Sequence, residues 1–383
     1  LPRAIRDVYK RQLFTATSAT TLTGLVTEDT GSHWSLAGQV IVLALIQVGG
    51  LGIMSITSLT GMLLTGRVKL RSRYSTAAEG RPILEGGVRR TLVATLLLTF
   101  FFEAVVAAIL FIRFATTYDM PLPRAAWEGV FHAISAFNNA GFGLRSDSLI
   151  SYNTDGWILI PLAGALMIGG LGYPVLSELV RRARERVRGW LRGTPVSARR
   201  LSITTRMTLK GTAFLVVSAT LIIAVLEWRG FLAEMSTGTK WLNAFFSGVT
   251  PRTAGFNSID YADAHPITLM VTDIYMFIGG GSAGTAGGIK ITTAVVLLAA
   301  MLAEFRGREA TTVGHRTVPK TVVRQAMTVA AAGVVAVTAG VATMRICDPQ
   351  FTADQVNFEV ISAFATTGLS TGITADSVSY THL

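Results

Sequence analysis

The chain has 383 residues, half of them apolar, with a mean hydropathy of +0.49 and a formal net charge of +11. Its long uncharged runs exclude an ordinary soluble globule and place it among polytopic membrane proteins. The positive charge does not point to nucleic acid, because the basic residues cluster between hydrophobic runs as topology signals, and the single cysteine, Cys347, excludes an intramolecular disulfide or a cysteine-rich metal site.

Residues 1–12 and 377–383 resemble translated adaptor read-through and are read as non-native ends. On that expectation the chain starts inside its first structural unit and stops inside its fourth. The first native stretch, residues 14–26, carries Thr23-Gly24-Leu25, followed by Glu28-Asp29. Residues 36–64 are uncharged and long enough to span a bilayer with some tilt. They hold Gln47-Val-Gly-Gly-Leu-Gly-Ile53. No strand precedes this patch, so it reads as small residues that let helices approach closely rather than as a nucleotide loop.

Residues 67–90 carry seven basic side chains against Glu79 and Glu85, which predicts a cytoplasmic connection. The span at 91–112 is interrupted only by Glu103, either a functional intramembrane carboxylate or a structural hydrogen-bond partner for a neighbouring helix. Residues 127–143 then form a short apolar helix leading into Asn139-Ala140-Gly141-Phe142. Residues 156–177 are uncharged and repeat the glycine patch as Met167-Ile-Gly-Gly-Leu-Gly-Tyr173. Nine arginines and one acid, Glu185, between Arg181 and Arg206 predict a second cytoplasmic loop.

A span at 207–226 leads to residues 241–257, whose helical part of roughly 10 to 14 residues is too short to cross a bilayer. It ends on Thr253-Ala254-Gly255-Phe256, and the loop beyond carries Asp260 and Asp263 without a base. Residues 267–304 contain Gly279-Gly280-Gly281-Ser282, then Gly284-Thr285-Ala286-Gly287-Gly288 and Lys290. Each glycine costs about 1 kcal/mol in a helix, so this span is expected to break at mid-membrane. The ending of a phosphate-binding loop, Gly-Lys followed by Ser or Thr, is absent. A third basic connection, 306–324, precedes an uncharged run at 325–344 and a last short helix ending on Thr366-Thr367-Gly368-Leu369. The five histidines, at 33, 132, 265, 315 and 382, lack ligand spacing and read as scattered loop or interface residues.

Gly24, Gly141, Gly255 and Gly368 are separated by 117, 114 and 113 residues, the mark of an internal repeat. A lone helix-terminal glycine is usually a C-cap; four at near-constant spacing favour another role. Irregular backbone in a membrane is tolerated where it lines a cavity or is buried in protein, and rings of carbonyls replace the hydration shell of a potassium ion. Thr23, Gly24, Asn139, Ala140, Gly141, Thr253, Ala254, Gly255, Thr366, Thr367 and Gly368 are therefore the candidate ion-binding backbone. Half-helices aiming their negative C-terminal ends at the axis favour a cation there. The glycine-bearing loops are acidic or balanced while the other connections are basic, which places the four segments on the outer side. The glycine-rich stretch reads as a loop beneath the ion site able to block or open it, with Gly279, Gly280, Gly281, Ser282, Gly284, Thr285, Gly287, Gly288 and Lys290 as its residues. Lys290 would either repel ions or pin the loop by hydrogen bonds to carbonyls.

These motifs resemble the membrane subunit of the Trk/Ktr/HKT superfamily of potassium transporters. The resemblance rests on residues 14–25, Phe137-Asn-Asn-Ala-Gly-Phe142, Pro251-Arg-Thr-Ala-Gly-Phe-Asn257, residues 279–290 and Ser362-Ala-Phe-Ala-Thr-Thr-Gly-Leu369, and covers nearly everything between 13 and 376. It implies an all-α polytopic membrane protein of four helix–pore-loop–helix units around one central pore, divided at 13–66, 67–180, 181–306 and 307–376, the first and last truncated. It further implies that the four glycines are filter glycines, with Gly24 favouring potassium over sodium; that 279–288 is the intramembrane gate; that the protein is a homodimer; and that a cytoplasmic nucleotide-binding subunit docks on the basic loops. The first outer helix and last inner helix are missing from the pattern, so this chain alone is expected not to form a complete pore. The resulting expectation is a multi-pass protein of a prokaryotic cytoplasmic membrane that takes up potassium, with sodium or proton as possible coupling ion. A sodium-selective transporter or a sodium/potassium cotransporter is the nearer alternative. A membrane-embedded enzyme using the glycine loop is the distant one, since no acid–base or nucleophilic groups cluster there.

Overall fold

The computed structural model describes residues 3–52, 88–193, 201–282, 284–314 and 316–377. The end of the 36–64 run and most of the first basic connection lie outside these, as do residues 194–200, Ala283, His315 and 378–383. Among the described residues, helices α1 (Arg3–Thr21), α2 (Leu36–Gly52), α3 (Val88–Thr117), α4 (Leu122–Phe137), α5 (Gly156–Leu171) and α6 (Tyr173–Arg192) make up the first half. The second half holds α7 (Ile203–Glu227), α8 (Thr237–Val249), α9 (Pro266–Phe277), α10 (Ile291–Phe305), α11 (Lys320–Cys347) and α12 (Ala353–Ala365). Among the described residues, a two-stranded hairpin of β1 (Thr312–Val313) and β2 (Arg316–Thr317) and an isolated bridge between Ile278 and Ile289 are the β pairings.

Long and short helices alternate for a reason visible in their residues. α3, α7 and α11 are 30, 25 and 28 residues long and are long and apolar enough to cross a membrane. At 1.5 Å per residue, the shortest of them reaches about 37 Å, against a hydrocarbon core of about 30 Å. The shorter α4, α8 and α12, of 16, 13 and 13 residues, pack against the long helices that precede them, α3, α7 and α11. Their starts are fixed locally. The Ser236 hydroxyl accepts from the Thr239 amide to begin α8, and Thr352 with Gln355 forms a capping box at α12.

Each middle helix then leans on the short helix of the following unit. Val42, Leu43 and Ile46 of α2 join one core with Phe131, Ala140 and Phe142, and the Trp127 indole donates to Gln39 at 2.8 Å. α5 contacts α8, and α9 contacts α12. Bulky groups such as Leu110, Phe114, Leu162 and Phe246 fill the largest core, between α3, α4, α5 and α8.

One segment differs from the simple span-and-loop reading. The uncharged run at 156–177 does not continue straight: α5 and α6 are bent by 108° around Gly172, whose φ of 86° and ψ of 149° suit glycine alone. The arginine-rich stretch after it is helical as far as Arg192, where Gly193 adopts the left-handed conformation that ends α6. Farther on, the long run at 267–304 breaks, as its glycines lead one to expect, into α9 and α10, with residues 278–282 and 284–290 lying outside both helices.

Candidate functional site

α1, α4, α8 and α12 each run into one of the glycine segments, and the backbone there repeats four times. Gly24, Gly141, Gly255 and Gly368 have φ of 84°, 72°, 72° and 84°. The residue two positions earlier, Leu22, Asn139, Thr253 or Thr366, also has positive φ, at 59°, 55°, 66° and 52°. Such angles are uncommon for residues with a side chain, so their recurrence at one offset identifies a shared local structure. The turns close on similar bonds. The amides of Thr23, Ala140 and Thr367 donate to the carbonyls of Ser18, Ser135 and Ser362, each at 2.8 Å, while Ala254 donates to Thr250 at 3.0 Å.

The four segments meet one another in a closed cycle. A Cβ on Gly24 would stand 2.6 Å from the Ala140 carbonyl oxygen, and one on Gly141 would stand 3.1 Å from the Ala254 oxygen. On Gly255 it would stand 2.6 Å from the Thr367 oxygen, and on Gly368 2.7 Å from the Thr23 oxygen. Each glycine therefore abuts the carbonyl that precedes the next glycine. A cavity of about 460 Å³ opens on the ring, reaching all four glycines together with Glu28, Asp29, Asp147 and Asp260. Arg145 also lines it, held by the Tyr152 hydroxyl at 3.0 Å and by Asp147 at 3.4 Å. Partial burial pushes the Asp147 carboxyl up, but bonds from Ser151 and Arg145 outweigh it and hold the group below the usual carboxylate range. Asp263 lies away from this vestibule, against a second cavity. Asp147, which the sequence reading passed over, takes its place; the signal was its position six residues past Gly141.

Polar side chains behind the ring brace it. The Ser18 hydroxyl donates to the Leu25 carbonyl at 2.7 Å, and the buried Glu359 accepts from the hydroxyls of Ser370, at 2.8 Å, and Thr374. Glu103 accepts from the Asn138 amide at 3.0 Å and from Gln47 at 3.2 Å. Of its two sequence-level readings the geometry supplies the structural one, tying α2, α3 and the end of α4 together. His132 is a correction: it is neither a loop nor an interface residue but fully buried in α4, its Nδ1 2.8 Å from the Glu128 carbonyl and its ring 6.0 Å from Phe256. Histidine spacing alone carried no signal for that.

Between α9 and α10 the chain pinches into a neck, where the Gly279 amide donates to Ile289 at 2.9 Å and the Ile289 amide to Phe277 at 3.0 Å. The loop above the neck fits into the ring's surroundings without room for side chains. The Gly281 amide donates to the Gly170 carbonyl at 2.8 Å, Cβ atoms on Gly280 and Gly281 would collide with the carbonyls of Gly170 and Leu171, and one on Gly284 would press tightly, at 3.0 Å, on Gly170 and Gly172. Gly287 presses on Ala365 and Thr366. The Thr285 hydroxyl reaches the Asn139 side-chain oxygen at 3.2 Å, Ser282 meets Thr292 at 3.0 Å, and the Lys290 ammonium donates to the Ala286 carbonyl. Gly288 turns the chain at φ 59°. The loop is thereby joined to two of the four glycine segments.

The family model described as TrkH, cation transport protein, matches residues 6–382. The chain is 36% identical over 367 residues to "Ktr system potassium uptake protein B" of Bacillus subtilis, covering 95% of this chain and 79% of that one. It is 32% identical over 369 residues to "Potassium/sodium uptake protein NtpJ" of Enterococcus hirae, with 95% and 78% covered. The crystal structure of the potassium transporter TrkH from Vibrio parahaemolyticus superposes with a TM-score of 0.68 at 16% identity, over 97% of this chain and 77% of that one, a likeness of fold. Four glycine turns closed into a cycle, membrane-length helices between them and a family match along almost the whole sequence have one common reading: the chain belongs to the TrkH family of cation transport proteins.

Proposed function

We propose that the protein takes up potassium across a prokaryotic cytoplasmic membrane, the ion passing through the cycle formed at Gly24, Gly141, Gly255 and Gly368. The observation that carries this reading is the abutment of each glycine on the carbonyl before the next. Ions shed part of their water in the vestibule, where Glu28, Asp29, Asp147 and Asp260 outnumber Arg145. The backbone oxygens of Thr23, Ala140, Ala254 and Thr367 then take the place of that water. The C-terminal ends of α1, α4, α8 and α12 lead into the same cycle, and their partial negative charge favours a cation there. The vestibule faces outward, in keeping with the basic connections on the opposite side.

Residues 279–288 act as the gate. Support comes from the loop's contacts with Gly170, Asn139 and Thr366, which join it to two of the glycine segments, and from the hydrogen bond of Lys290 to Ala286. A homodimer and a cytoplasmic nucleotide-binding subunit docked on the basic connections complete the proposal; the name of the Bacillus relative, a protein of a "Ktr system", suits a multi-component transporter. Sodium is the second reading for the coupled or co-transported ion, favoured by the potassium/sodium name of the Enterococcus relative. The test is uptake by cells deprived of their own potassium systems, measured with sodium as competitor. Potassium uptake that sodium neither replaces nor accelerates supports the first reading. Sodium uptake without potassium overturns it.

A further inference from the structure

α6 is amphipathic along its length beyond the bend at Gly172. Seen down its axis, Leu179, Val180, Ala183, Val187, Trp190 and Leu191 share an arc roughly 120° wide. Arg184 borders one edge of that arc and Arg186 the other, with Arg188 about 60° beyond the first edge and Arg181 about 20° farther round on the polar side. The C-terminal part of the arc is uncovered, with Val187, Trp190 and Leu191 55%, 82% and 70% exposed, while Leu179 packs against Leu171, Val175 and Leu176. Among the described residues, no carboxylate forms an ion pair with Arg184, Arg186 or Arg188.

Its placement follows from its neighbours. α5 is 16 residues long, about 24 Å of a hydrocarbon core of about 30 Å, so the bend at Gly172 comes near the membrane boundary on the basic side. The 108° turn then lays α6 across the direction of α5 instead of prolonging it. A second tie fixes the same height. Glu178 accepts from the Ser202 amide at 2.9 Å and from the Thr205 hydroxyl at 2.6 Å, and Ser202 is the N-cap of the membrane-length helix α7. The first turns of α6 are thus held at the level where α7 enters the bilayer.

We infer that α6 lies in the plane of the membrane interface and binds anionic phospholipid, its apolar arc among the upper acyl chains and Arg184, Arg186 and Arg188 on the headgroup phosphates. An apolar arc bordered by arginines on both edges suits a surface that is oily below and negative at its rim, because the long side chains can reach up from either side. A protein groove asks for no such border. The inference is independent of which ion the protein carries.

The test uses the whole protein with Cys347→Ser, a single probe thiol introduced by Val187→Cys or Arg181→Cys, and reconstitution into phosphatidylcholine vesicles with and without phosphatidylglycerol. A fluorophore at 187 is expected to be quenched by brominated lipid and shielded from iodide, and one at 181 to show the reverse. In mixed vesicles brominated phosphatidylglycerol should quench the 187 probe more than brominated phosphatidylcholine does. Replacing Arg184, Arg186 and Arg188 by Gln should bring that preference toward unity, each arginine contributing up to roughly fivefold. Equal iodide quenching at 187 and 181 would overturn the inference, as would shielding that arises only when a cytoplasmic regulatory subunit is added. Lipid quenching with no preference for phosphatidylglycerol would overturn the anionic specificity. If the triple variant fails to fold, the comparison of the two brominated lipids on the Val187→Cys protein decides alone.

Discussion

Replacing Gly255 by alanine adds one methyl group at a position where the geometry allows none. Its φ of 72° costs a residue with a side chain about 1–2 kcal/mol. The new Cβ would also stand 2.6 Å from the Thr367 oxygen and 2.7 Å from the Gly141 Cα, both backbone atoms, so two neighbouring segments must move. Overpacking of this kind typically adds about 1–3 kcal/mol. If the strain falls on the ion-bound ring, a penalty of about 2–5 kcal/mol corresponds to a roughly 30- to 4000-fold weaker apparent potassium affinity. Uptake rate against external potassium, with sodium as competitor, reads both affinity and discrimination, and monodisperse elution in detergent verifies folding. Gly164→Ala and Gly238→Ala are the controls, since a Cβ there meets nothing within 4 Å. Unchanged affinity and discrimination in a folded Gly255→Ala protein would refute the proposed filter, and so would equal losses in the two controls.

The remaining predictions concern the gate, the brace and the vestibule. Deleting residues 280–287, or replacing Lys290 by Gln to loosen its hold on the Ala286 carbonyl, should raise potassium flux severalfold; unaltered flux in a folded protein places the gate elsewhere. Glu103→Gln keeps an acceptor for one of its two amide donors and should cost less than Glu103→Leu, which leaves the amides of Gln47 and Asn138 both without their acceptor and should cost about 1–3 kcal/mol for each, seen as a lower midpoint in thermal unfolding. Asp147→Asn and Asp260→Asn should slow uptake at low ionic strength and do little at high, because at about 0.1 M salt charges more than about 10 Å from the ion are screened.

The internal repeat was legible because glycine is an outward sign of an unusual backbone: Gly24, Gly141, Gly255 and Gly368 mark their turns by residue type alone. Leu22 and Thr253 take up the same left-handed conformation without any such mark, since the surrounding structure forces it on them. The glycine patches at 49–52 and 169–172 look alike in sequence, yet in α5 it is Gly172 whose dihedrals turn the chain, a property that emerges only once Tyr173 and α6 have somewhere to go. Charge counts identified the arginine-rich stretch as a boundary feature but not as a helix, because its apolar arc is scattered through the sequence and assembles only at helical spacing. His132 was misplaced and Asp147 passed over for a simpler reason. Burial and vestibule position depend on contacts between distant segments, and residue type does not encode them.

The cycle of glycine turns is assembled from four unlike stretches of one polypeptide. In a ring of identical subunits any mutation is copied to every quadrant, so ion preference changes in one large step or not at all. Here a substitution alters a single quadrant and leaves three untouched. With the cycle as the proposed filter, preference between monovalent ions could therefore be adjusted gradually across generations, and one quadrant is free to acquire an attachment, such as the loop between α9 and α10, that the others never need.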